Sequence, residues 1–177
     1  MTPVTWTAPD VPRAEPLPVA GERIALESWL DYHRATLLYK CRRLTGEQLA
    51  QRAVAPSSLS LLGLVRHMAE VERAWFRCRV AGQVELGYLF GSEEFPDADF
   101  DLVAADDAEA DFDAFAAECA MAREAAAGRS LDETFFLPRG GGDLDLRWVY
   151  LHMIEEYARH NGHADIIREQ IDGVTGE

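Results

Sequence analysis

The residues most able to do chemistry lie in two stretches far apart along the chain. In DLRWVYLHMIEEYARHNGHADIIREQI, residues 145–171, Val149, Met153, Tyr157, Ala164, Ile167 and Ile171 fall on one stripe at about 100° per residue. Glu156 and His160 lie inside that stripe, and His152 and His163 lie at its edge. Burying a carboxylate and an imidazole is costly unless something pairs with them. In LLGLVRHMAEVERAWFRC, His67 shares a face with Leu64, Met68, Val71 and Trp75. The expectation is one divalent metal held by His67, Glu156 and His160. The Glu156-x-x-x-His160 spacing stacks two donors about 5–6 Å apart on a helix face, and His67 from a facing helix closes the triangle. Three protein ligands with open positions is the pattern of catalytic zinc, whereas structural sites are closed by four. A cation in such a site lowers the pKa of bound water or thiol. The same set matches the facial triad of non-haem iron, so the spacing leaves the metal open.

Competing readings need no ion. His67 and His33 each read as core histidines satisfied by a hydrogen bond. Glu156 reads as a partner of Arg159 or Arg34, and His163 as a cap or a pairing group. A dimetal carboxylate site fits less well, because Glu-x-x-His does not occur twice with two further inward glutamates.

These side chains need helices to position them. Residues 22–44 carry Leu26, Trp29, Leu30, His33, Leu37, Cys41 and Leu44 at core spacing. After Gly46 comes a break with one helical turn. Pro56, Ser57 and Ser58 mark a start for a second helix over 59–80, ending near Gly82. Residues 82–106 show no sustained period and read as a long crossover loop over a site, with Tyr88, Phe90 and Phe95 available to line it. A third helix begins at Asp106 or Asp107, runs through Phe112, Phe115, Ala116, Cys119 and Ala122, and ends at Gly128; it shows no chemistry. Residues 129–144 are turn-rich with short strands around 135–137, and the fourth helix begins near Asp145. Four long amphipathic helices predict an all-α fold, an antiparallel four-helix bundle occupying 22–177, whose long second connection means that the order need not be plain up-down. Residues 1–21 hold five of the eight prolines and read as an arm, either anchored through Trp6 on the bundle or on a neighbouring subunit, or loose.

A chain of 177 residues with 48% apolar residues fits one globular domain. Its net charge of −14 argues against nucleic acid and anionic membranes as partners. No apolar run spans a bilayer and the first residues do not read as a secretory signal, so a cytoplasmic location is expected. Cys41, Cys78 and Cys119 have no CxxC spacing and read as reduced thiols, with Cys78 on the His67 stripe.

The stretch SLLGLVRHMAEVERAWF, followed far downstream by WVYLHMIEEYARHNGHADIIREQIDG, resembles the DinB-like proteins and within them the actinobacterial mini-circle subgroup of unknown function. The opening LESWLDYHRATLLYKCRRLTGEQL resembles that subgroup's first helix, so the likeness spans residues 24–173. It implies a DinB-like four-helix bundle with a metal triad at one end, falling here on His67, Glu156 and His160. Many relatives have histidine where this chain has Glu156; glutamate there resembles the mycothiol-dependent maleylpyruvate isomerase branch. The family's usual His-x-Gly-Gln reads His160-Asn161-Gly162-His163 here. Relatives include S-transferases and isomerases that use mycothiol or bacillithiol. The implied activity is a thiol S-transferase or isomerase acting on a small electrophile, with zinc or nickel as the metal and mycothiol as co-substrate. In that reading His163 or His33 moves protons, and Arg34 or Arg159 holds an anionic group. The alternatives are a non-catalytic metal- or ligand-binding homodimer with a stress-response role, and a metal-dependent hydrolase.

Overall fold

The computed structural model describes residues 5–137 and 142–176. The first four residues of the expected arm and residues 138–141 of the expected turn-rich stretch lie outside them. The chain is mostly helical: α1 (Glu22–Cys41), α2 (Gly46–Ala50), α3 (Leu61–Glu72), α4 (Ala98–Asp101), α5 (Ala108–Ala126) and α6 (Leu146–Asp172). The strands β1 (Thr134–Leu137) and β2 (Gly142–Asp145) form one antiparallel hairpin before α6, pairing Thr134 with Asp145.

Local chemistry sets the helix starts. The Asp145 carboxylate accepts from the Trp148 amide at 2.7 Å and opens α6. Ser60, rather than Ser57 or Ser58, caps α3 through the Gly63 amide at 3.1 Å. Thr45 and Gln48 make a reciprocal capping box at α2. Asp107 precedes α5 but makes no side-chain cap. Gly173, at φ 76°, stops α6 in the left-handed region.

The second helix is not α-helical to its end. From Arg73 to Val80 it widens into a π-helix, with the Ala81 amide reaching back five residues to the Phe76 carbonyl at 2.8 Å. Arg73 and Arg77 both clamp Glu118 of α5 along this stretch, at 2.7 and 2.8 Å. The wider turn changes which side chains share a face. Trp75 packs on His152 of α6, while the Cys78 thiol turns to the Leu86 carbonyl and away from the face of His67.

Side-chain contacts fix the directions of the long helices. Glu22, Glu27 and Lys40 of α1 meet Arg147, Tyr150 and Asp165 of α6 in rising order, so these two helices run parallel. His67 and Glu72 of α3 meet His160 and Tyr157 of α6 in falling order, so α3 runs against α6. Arg66 of α3 and Arg73 of its π-helical continuation meet Asp111 and Glu118 of α5, so α3 and α5 are parallel. Two consecutive parallel helices require the chain to travel back their full length between them. The long connection after α3 is that return path, and it carries α4 over the N-terminal half of α3.

The buried apolar side chains form a core running from Leu30, Leu37 and Leu49 through Leu61, Leu64 and Met68 to Phe115, Met153 and Ile167. At its centre sits a polar group. Arg34, buried on α1, donates to both carboxylate oxygens of Glu72 at 2.7 Å, and Tyr157 donates to Glu72 Oε1 at 2.8 Å. Trp29, expected in the core, is 45% exposed. The arm is docked on its own chain: Trp6 packs edge-on against Phe112 at 5.4 Å, and Ala8 exchanges backbone hydrogen bonds with Arg43 and Leu44.

Candidate metal centre

The antiparallel packing of α3 on α6 brings together donors separated by some ninety residues of sequence. One donor atom from each of His67, Glu156 and His160 lies within 4.8 Å of the others, all half-buried. The His67 and His160 rings meet edge-on at 4.8 Å, and Glu156 Oε2 lies 3.4 Å from His160 Nε2. Donors about 2.1 Å from a tetrahedral cation stand about 3.4 Å apart, so rotamer adjustments of roughly 1.5 Å close the set on an ion.

The surroundings favour neutral imidazole at this point. Burial, with help from the neighbouring His67, pushes His160 down to about 4, so its lone pair is free at neutral pH. Nδ1 of His160 is buried without a hydrogen-bond partner among the described residues, as is Nδ1 of His163. The donor set of two imidazoles and one carboxylate suits a borderline divalent ion.

His67 is held from a side the sequence reading missed. Its Nδ1 lies 2.8 Å from Asp99 Oδ2, and Phe100 stacks on its face at 4.7 Å. Both residues come from α4 on the return path. Loop position, the acid-rich ADFD segment and the expectation of a functional connection were the available signals. The aromatic residue at the cluster is thus Phe100; Tyr88 and Phe95 are largely exposed, and Phe90 lies under Arg66. On the other flank His152 stacks on Trp148 at 4.9 Å and faces Glu156 Oε1 at 3.9 Å.

The remaining candidates are distributed differently. His163 lies beside His160, ring to ring at 5.3 Å. His33 sits between Trp29 and Tyr32, and Asn161 Nδ2 donates to the His33 backbone carbonyl at 3.1 Å; burial lowers the pKa of His33. Arg34 does not pair with Glu156. Its guanidinium donates to Glu72 and Asp31 instead. Arg159 is the partner of Glu156, at 3.2 Å, and it also binds Glu155. Cys41 and Cys119 are buried and their thiols are pushed up to about 12 by desolvation, so neither supplies a thiolate at neutral pH. All three cysteines are free.

Fold and cluster together define a class: an all-α protein with an open His–Glu–His donor set between two antiparallel helices. The family model of mycothiol S-transferases matches residues 25–173, and the chain belongs to that family. The match covers the long helices, except the first three residues of α1, and leaves out the arm. A comparison with curated proteins returned no match. No described helix is long and apolar enough to cross a membrane.

Proposed function

We propose that the protein is a divalent-metal-dependent mycothiol S-transferase acting on a small electrophile. The observation that carries this reading is the convergence of His67, Glu156 and His160 within 4.8 Å, in a chain of the mycothiol S-transferase family. Those three residues would hold the metal, with zinc or nickel suiting the donors. When bound, the cation lowers the pKa of the thiol cofactor and so supplies a thiolate at neutral pH. The sulfur forms its bond to the electrophilic carbon as the leaving group departs with its electron pair. The thiol proton passes to His163, whose Nδ1 has no hydrogen-bond partner among the described residues. Arg159, half-exposed beside Glu156, faces the anionic part of a substrate. Phe100 on His67, and Trp75 and Trp148 on His152, flank the donors and would border a bound substrate. The four long helices are read as a DinB-like four-helix bundle, 22–177 as the functional domain, and the working form as a cytoplasmic homodimer.

The test is consumption of mycothiol with a chromogenic electrophile such as 1-chloro-2,4-dinitrobenzene. Zinc-loaded wild type should exceed both the chelated protein and His67→Ala by at least tenfold. Equal rates in all three overturn the proposal.

A further inference from the structure

The Asp99 carboxylate is buried although it stands on a single-turn helix in a connection. Its side chain is 8% exposed, and desolvating an ionised carboxylate demands compensation. Among the described residues its hydrogen-bond partners are the Phe100 amide, at 3.0 Å on Oδ1, and the His67 ring, at 2.8 Å on Oδ2. Arg66 is adjacent but binds the backbone instead, donating to the carbonyls of Asp99 and Ala98 at 3.0 and 3.2 Å. The charge of Arg66 is balanced by Asp111 of α5, at 3.2 Å to both oxygens. The arginine thus clamps the turn in place and leaves the Asp99 charge directed at the imidazole. Gly63 allows the turn to sit this close, since a Cβ there would lie 3.2 Å from the Phe100 ring.

We propose that Asp99 is a positioning residue for the metal ligand His67. This rests on the metal reading above. A carboxylate accepting from Nδ1 fixes the tautomer with the proton on that nitrogen and presents the Nε2 lone pair to Glu156 and His160. Phe100, stacked on the His67 face at 4.7 Å, keeps the ring from turning. A metal-ligating histidine with such a partner loses about 10–100-fold in metal affinity when the partner is removed. The return path after α3 is therefore part of the metal centre. It supplies the group that keeps one ligand in register, and Arg66 and Asp111 tie that group to α3 and α5.

The test measures the affinity of the full chain for Zn²⁺ alone, by competition with a chromophoric chelator. Asp99→Ala should weaken binding about 10–100-fold. Asp99→Asn, which keeps an acceptor oxygen and the shape but not the charge, should fall between it and wild type. Arg52→Ala removes a clamp on the same loop, at the carbonyls of Phe100 and Asp101, and should leave affinity unchanged. The visible d–d spectrum of the Co²⁺-loaded protein, which reports ligand geometry, should shift in both Asp99 variants and not in Arg52→Ala. Wild type that binds zinc with Asp99→Ala within twofold of it overturns this inference alone, as does an equal loss in Arg52→Ala. Wild type that fails to bind zinc overturns the metal reading and this inference with it.

Discussion

Replacing Arg34 by methionine tests the centre of the fold. Glu72 has no exposed surface, and Arg34 meets both of its oxygens at 2.7 Å. Without the guanidinium, the carboxylate keeps only the Tyr157 hydroxyl, at 2.8 Å, in a site that water does not reach. Removing one partner of a buried ion pair costs about 3–5 kcal/mol, because the other charge stays desolvated. In a chain of this size about 2–4 °C of Tm follows each kcal/mol, so the variant should melt roughly 6–20 °C lower. Removing both charges and the phenol, as Arg34→Met/Glu72→Leu/Tyr157→Phe, leaves nothing polar stranded. Apolar replacements of buried pairs are commonly neutral or stabilising by about 1–4 kcal/mol. The triple variant should therefore recover most of the single variant's loss. The assay is urea unfolding followed by far-ultraviolet circular dichroism, with a chelator present so that metal linkage does not enter. A loss below about 1 kcal/mol in Arg34→Met, or a triple variant less stable than the single one, would show that the pair does not organise the core as argued.

Ellman's reagent on the native protein at pH 8 should titrate Cys78 alone, and slowly, because burial raises its thiol too, while Cys41 and Cys119 stay protonated near 12; three rapidly reacting thiols contradict the packing. Gly46→Ala should destabilise by about 3 kcal/mol in the same urea assay, since a Cβ there overlaps the Ala105 carbonyl, and a change within about 0.5 kcal/mol would refute that close approach. Burial holds His33 below its ordinary 6.5, so the folded chain takes up this proton less readily than the unfolded one. Its contribution to stability is complete above about pH 6.5 and is lost as pH falls through that value toward the folded pKa. Metal-free His33→Gln should show a shallower fall in urea midpoint between pH 7.5 and 5.5 than wild type, and an unchanged slope counts against the account.

The helix pattern was legible because apolar spacing reports which face is buried, and α1, α3, α5 and α6 each begin within about two residues of the positions read from caps and glycines. His67, Glu156 and His160 could be singled out because polar groups on apolar stripes are conspicuous. Asp99 could not be. It lies on a segment without periodicity, and its tie to His67 exists only because parallel α3 and α5 force the chain back over α3. The Arg34–Glu72 pair was hidden for a related reason. Charged residues at core spacing read as a break in the stripe, and the partner that makes burial tolerable is on another helix. Trp29 was misplaced because a helix stripe is wider than the face its neighbours cover. The π-helical end of α3 has no composition signal, so Cys78 was assigned to a face that the wider turn removes.

The central claim is that His67, Glu156 and His160 hold one cation between α3 and α6. The direct measurement is anomalous diffraction at the zinc edge from crystals grown with zinc, alongside the His67→Ala variant. One strong peak per chain is expected, bounded by a nitrogen of each histidine and a Glu156 oxygen at about 2.0–2.2 Å, and absent or much weaker in the variant. Wild-type crystals with no peak at that position, or a peak of equal strength in His67→Ala, would contradict it.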